Sequence, residues 1–341
     1  MNFKRILTNC ISFCLMFLFM GCSSTDDSSP NAENGLITPT LEPTFESLKG
    51  SRLAIDASLG KVSWTNDDQL LVFVHESGKQ PTNESEWKVC KYKFVTNAND
   101  CAKSKFAQEP GAQHPLLLDP TKSYDWYVMY PYNETIQSPL GIGHISITDQ
   151  TMDMQAPTAH LGAFDIMSNT LKNQQAAQQV NILLNHHATL MQFTVYNLTS
   201  ESFLPKSLEF ETNAATPAAI SGTFNVNFEK GLSELTGSNK LCLELNQAQD
   251  IAPNGSFTVY TIMSPFSLNT GDQFNIRVIT DKSNTVQSST MRAPITFKAG
   301  TKSTAKVKVT PAPIINQDIE GWNNQEIEGW EDQGNKNDFI N

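Results

Sequence analysis

Two tandem β-sandwich domains are the fold this sequence predicts, and three features carry that expectation. Apolar residues recur at every second position in many short runs, the pattern of half-buried strands. Glycine, proline, asparagine or aspartate bounds those runs, as turns between short strands require. No stretch sustains apolar residues at the helical period over the length of an ordinary helix, and the best helical segment, Gln174–Gln179, is short, polar and suited to a linker. Many short strands with regular turns are the mark of β-sandwiches.

The chain opens with Lys4 and Arg5, an apolar stretch from Ile6 to Met20, and then Gly21 and Cys22 before a polar run. The apolar stretch is short for a membrane span and a small residue precedes the cysteine. Residues 1–21 therefore read as an export signal, with a lipid attachment point at Cys22. An ordinary secretory signal with an incidental cysteine is the alternative. Several acyl chains at one cysteine anchor a protein where a single chain does not, so membrane lipid is the expected partner of Cys22. Residues 22–52 follow as a lipidated tether and N-terminal segment. Ser23 to Asn34 has too few apolar residues to bury a core and reads as flexible. Leu36, Ile37, Leu41 and Phe45, interrupted by Pro39 and Pro43, read as an edge strand, because proline cannot donate to a ladder.

From Leu53 onward the chain reads as strands. Lys61–Trp64 and Gln69–His75 flank a turn at Asn66, Asp67 and Asp68, and Tyr124–Tyr130 stops at Pro131. Thr189–Tyr196, Ser207–Glu211, Thr223–Phe228, Phe257–Ile262, Phe274–Ile279 and Thr304–Val309 continue the rhythm. In the last of these, Ala305, Val307 and Val309 share one face and Lys306 and Lys308 the other. The composition turns into a Gln and Ala run near Asn169–Gln179, which places the domain boundary there, with residues 53–174 in the first sandwich and 175–310 in the second. Residues 311–341 form a tail with seven acidic residues against one lysine. It carries Pro311, Pro313, Ile314 and Ile315, then two Ile-Glu-Gly-Trp units at Ile319–Trp322 and Ile327–Trp330. Exposed apolar clusters mark interaction sites, so Ile314, Ile315, Ile319, Trp322, Ile327 and Trp330 are read as anchors of a donor segment. A disordered low-complexity tail is the other reading.

A net charge of −11 argues against nucleic acid, whose phosphates need a basic surface. Cys10 and Cys14 leave with the signal and Cys22 takes lipid, so Cys90, Cys101 and Cys242 remain for the fold. Cys90 and Cys101 are the candidate disulfide in an oxidising compartment, although a simple hairpin turning at Asn97–Asp100 would not set them side by side. No His or acidic residue keeps ligand spacing with these cysteines, and neither a metal nor another cofactor is expected. The sequence holds no Gly-x-Ser-x-Gly elbow, no His-Glu-x-x-His and no phosphate loop, and no catalytic role is assigned. His186 and His187 are adjacent, so on a strand they point to opposite faces and cannot clamp one metal. Asp125 with Trp126 and Trp87 reads either as a sugar platform or, more commonly for such residues, as core.

Specific blocks resemble the Bacteroidales fimbrillins, subunits of type V pili. Lys61-Val62-Ser63-Trp64 leads into Asp67-Asp68 and Leu70-Leu71-Val72-Phe73. Tyr127–Tyr132, Phe164-Asp165-Ile166-Met167, and Leu184-Asn185-His186-His187 running into Leu190–Val195 follow in the family's order. Ile220–Phe224, Pro265 and Phe297-Lys298-Ala299-Gly300 complete the set. The acidic pair Asp26 and Asp27 also resembles surface-export signals of Bacteroidetes lipoproteins.

That resemblance implies two transthyretin-like sandwiches in a surface-exposed outer-membrane lipoprotein that is built into a fimbrium. It implies a cut after an arginine, here Arg52 before Leu53, so that an N-terminal strand leaves and a strand from a neighbouring subunit takes its place. Other fimbrillin subunits are then the partners, with a host glycan or protein as a further ligand. The alternative function is a surface lipoprotein that binds host glycan or protein without polymerising.

Overall fold

The computed structural model describes residues 35–45, 64, 67–79, 81, 87–95, 105–109, 115–213, 218–282, 284–291, 294–311 and 323–324. Its first strands are β1 (Thr40–Phe45), β2 (Gln69–Glu76), β3 (Lys88–Val95), β4 (Lys105–Gln108), β5 (Ser123–Tyr130), β6 (Leu140–Ile147) and β7 (Gln150–Asp153). A 3-10 turn at Leu161–Ala163 precedes β8 (Met167–Gln175), β9 (Gln179–His186), β10 (Thr189–Asn197), β11 (Pro205–Asn213), β12 (Ser221–Asn227), β13 (Gly231–Ser238) and β14 (Lys240–Asn246). Then come β15 (Ser256–Met263), β16 (Phe266–Leu268), β17 (Gln273–Thr280), β18 (Asn284–Thr290), β19 (Ile295–Phe297), β20 (Lys302–Val309) and β21 (Asn323–Asn324). The fold is all-β, as the period-two runs require.

The first half closes on itself as a barrel in the order β1-β4-β3-β2-β5-β8-β9. Leu70 to Val74 of β2 are all buried, because one face of the strand looks into the barrel and the other is covered. The cover includes Phe228 of the second half, whose ring lies 5.7 Å from Phe73. By contrast β9 alternates, with Val180, Ile182 and Leu184 buried and Gln179, Asn181 and Leu183 exposed, as a strand with one wet face should. In the second half, β15-β10-β20-β21 and β18-β17-β11-β14-β7 enclose a separate core. Phe193, Phe210 and Phe274 stack there at centroid distances of 4.8 to 6.5 Å.

The halves are interleaved. Strand β6 pairs with β12 and β7 adds in parallel to β14, so residues 140–153 cross from the barrel into the second half's sheets. Gln150 fixes that crossing: its buried amide donates to Ile262 O at 2.6 Å and accepts from Thr261 Oγ1 at 2.9 Å and Ile262 N at 3.0 Å. A buried amide with three hydrogen bonds holds one register, since any slip strands several polar groups. In the quoted Ile220–Phe224 block, Gly222 is needed at φ +129 beside the bulge, where a Cβ would sit 2.1 Å from Thr236 O.

Several sequence expectations change here. Residues expected as a short helical linker form the β8–β9 turn, and β9 packs into the barrel core, so the barrel's residues continue past the boundary expected at 174. A Gln-rich surface strand resembles a linker in composition because its wet face is polar. Trp64 is buried but lies outside any strand, and Lys61–Ser63 fall outside the described residues. Trp126 is 0% exposed and Trp87 7%, with the Trp87 ring edge-on to Tyr127 at 5.2 Å, so both are core residues and no sugar platform forms there.

Candidate assembly groove

Strand β1 is the element on which the expected assembly chemistry depends. Residues 39, 41 and 43 are buried while 40, 42 and 44 are partly or fully exposed, the alternation of a strand with one face in a core. Leu41 is among the largest side chains with 0% exposure, in a cluster with Tyr92, Phe106, Leu118, Val180 and Ile182. The strand runs parallel to β9 from Thr40↔Gln179 to Phe45↔Leu184 and meets β4 antiparallel at Leu41↔Phe106. Thr40 N donates to Gln178 O at 2.8 Å, and Ile37 and Leu118 exchange N–H···O bonds of 2.9 Å.

The edge position expected from the prolines is therefore corrected: β1 has a neighbour on each side and closes the barrel. Successive N–H groups of a strand point to opposite sides, and Thr40 N points to β9. The position of Pro43 thus lacks its donor on the β4 side, where Leu41↔Phe106 is the pair seen among the described residues.

Tyr92 marks the floor of the groove. Its buried hydroxyl donates to Pro39 O at 3.0 Å, and burial raises its pKa well above the usual phenol range. If β1 left, this hydroxyl would lose its acceptor, and β9 would lose a parallel partner along its length. An extended chain with apolar residues at alternate positions and a carbonyl over Tyr92 would restore both. Leu41→Ala in the uncut chain should cost about 3 kcal/mol, the usual penalty for emptying a large buried seat. Denaturant unfolding of the full chain measures this.

The adjacent histidines each meet a different partner within the fold. His186 Nδ1 lies 2.7 Å from buried Asp165, whereas His187 Nε2 lies 2.6 Å from Ser168 Oγ. The serine and the carboxylate thus meet different imidazoles and build no relay on one ring. Among the described residues no group of three or more His, Cys, Asp or Glu could hold a metal ion. Cys90 is buried on β3, where desolvation pushes its thiol up to about 11; Cys101 is outside the described residues, and with it the expected pairing. Cys22, Arg52, Leu53, Ile314, Ile315, Ile319, Trp322, Ile327 and Trp330 also lie outside them.

Burial pushes the imidazoles of His160 and His187 down to about 4. Both must be neutral in the fold, so their contribution to stability is complete above the ordinary value of 6.5 and is lost as pH falls toward 4. Stability should drop over that window, by about 3 kcal/mol for each histidine. His160→Gln, which retains a donor for Tyr260 O 3.1 Å away, should flatten the pH profile measured by denaturant midpoints.

A family model described as fimbrillin-like matches residues 56–330 of the chain. No curated protein matches it. Among solved structures, a candidate cell adhesion protein from Bacteroides ovatus superimposes with a TM-score of 0.55 at 15% identity, covering 87% of this chain and 98% of that one. Another from Bacteroides uniformis gives 0.53 at 12% identity, covering 85% and 100%. At these identities the likeness establishes a shared fold.

Proposed function

Because the chain belongs to the fimbrillin-like family, we propose that it is a structural and adhesive subunit of a cell-surface pilus, completed by a strand from a neighbouring subunit. The observation that most supports this reading is β1: a buried strand that closes the barrel lies upstream of Arg52, at the end of the chain that a cut there would detach. A core strand joined to its domain only through a segment with an exposed-type Gly-Ser-Arg sequence is a replaceable part. Lipid on Cys22 holds the precursor at the outer membrane, cleavage between Arg52 and Leu53 opens the groove, and the tail beyond Thr310 supplies the donor. The groove then offers the unpaired ladder edges and apolar seats that strand addition uses.

Mass spectrometry of the mature N-terminus, together with electrophoresis of unboiled surface extracts, tests the reading. A terminus at Leu53 and a ladder of polymers are expected. A lipidated terminus retained at Cys22 with one monomer band would replace it by the non-polymerising lipoprotein.

A further inference from the structure

Segments far apart along the chain meet at one cavity. His187, Phe224, Pro265 and Ala299 line a space of about 510 Å3, bounded by the β12–β13 turn, the residues before β10 and those after β15. Each of the four comes from a different block of the fimbrillin resemblance, and the pilus reading gives none of them a role. We infer that this cavity binds a monocarboxylate with an apolar side group, about the size of an acylated amino acid, with the carboxylate on Lys230 and His187 and the side group against Phe224 and Phe266.

The count of cations sets the charge of the ligand. Lys230 lines the cavity from the β12–β13 turn, where it is exposed, and among the described residues its ammonium makes no ion pair. The carboxylate of adjacent Glu229 is engaged instead by Lys172, at 2.8 Å. Burial holds the His187 imidazole down to about 4, so it is neutral at pH 7 and adds no charge. One cation suits a single negative charge, whereas a phosphate ester carries about two and asks for more donors.

His187 supplies a directed contact. Its Nε2 lies 2.6 Å from Oγ of buried Ser168, and its backbone N–H donates to Ile166 O at 2.7 Å, which together fix the ring. A serine hydroxyl can donate to Nε2, and the neutral ring then carries its proton on Nδ1, where it can donate to a carboxylate. Nδ1 has no protein partner among the described residues, and Gly231 leaves it uncovered. At φ +86 this glycine has no side chain to interpose, and a Cβ there would stand 3.1 Å from Nδ1.

The apolar wall is already in place. Phe224 and Phe266 are buried, with Leu232 and Pro265 beside them. Ser264 holds the neighbouring stretch of wall, since its Oγ donates to Ala219 O at 2.5 Å and its N–H to Ile220 O at 3.0 Å. A preformed seat avoids the cost of ordering its own side chains on binding. Aromatic walls with one cation and one oriented donor favour an amphipathic acid.

Calorimetric titration of the full chain with N-acetylphenylalanine, beside its C-terminal amide, tests the site. Saturable binding of the acid is expected, with the amide weaker by about tenfold or more because it brings no charge to Lys230. Lys230→Gln should weaken the acid by about tenfold, and Lys230→Arg should bring it back to within about threefold. Ala299→Trp should fill the space and abolish binding of both compounds. Lys230 and Ala299 are exposed, so both substitutions should leave the melting temperature unchanged. Absence of saturable binding below about 10 mM, equal affinity for acid and amide, or full affinity in Lys230→Gln would each overturn the assignment. Polymer growth enters none of these measurements, so their outcome stands apart from that of strand donation.

Discussion

Arg52→Ala should yield a folded, lipidated subunit that enters no polymer, with chain growth at least about a hundredfold below that of the unmodified protein. The groove would remain filled by β1, which contributes a ladder to β9 from Thr40 to Phe45 and seats Leu41 in the barrel core. A covalently attached strand competes at an effective concentration of about millimolar, against micromolar subunits in solution, so a donor of similar fit is outcompeted by about a thousandfold. Cutting the link changes this balance because the freed β1 is diluted and the edges of β4 and β9 become available. Stability should not fall, since the barrel remains closed. Electron microscopy and unboiled electrophoresis read the polymers, and thermal melting reads the fold. Filaments of ordinary length from the Arg52→Ala protein would mean that opening the groove does not depend on this cut.

The second large effect is expected from the tail. The groove has buried seats at positions 39, 41 and 43, so an incoming strand must present apolar residues two apart on one face. Pro313 and Ile315 repeat the spacing of Pro39 and Leu41, and Ile319 shares their face, whereas Ile314 points to the opposite side of an extended segment. Ile315→Asp with Ile319→Asp should therefore abolish donation, because a buried unpaired carboxylate costs several kcal/mol, about a hundredfold or more in occupancy. Ile314→Asp should be tolerated. Truncation after Thr310 should match the double variant in filament assays and leave the melting of the subunit nearly unchanged, since β20 is complete at Val309. Greater sensitivity to Trp322→Ala and Trp330→Ala than to Ile315→Asp would move the donor into the Ile-Glu-Gly-Trp units.

What could be read from the chain alone follows the range of the physical signal. Gln69–His75, Tyr124–Tyr130 and Thr189–Tyr196 were legible as strands because period-two burial is a local property, and each lies within one observed strand. The same locality misled at Gln174–Gln179, where the polar residues belong to the wet side of a hairpin inside the barrel. Leu41 and Pro43 were visible as apolar and proline positions, but their burial between β4 and β9 was not, since Leu41 pairs with Val180 far along the chain. Tyr92 as the floor of the groove and Gln150 as the pin between halves carried no sequence signal, because a buried hydroxyl or amide is distinguished from a surface one only by its partner.

That this chain is all-β and fimbrillin-like is legible along the backbone, because alternation, turn residues and ordered blocks are local features. That β1 closes the barrel, that residues 140–153 bind the two halves together, and that β21 returns to β20 emerge from the folded arrangement. Those outcomes depend on pairings between segments distant in sequence. Their free energy comes from matched faces and satisfied hydrogen bonds across a ladder, and neither exists until the strands meet.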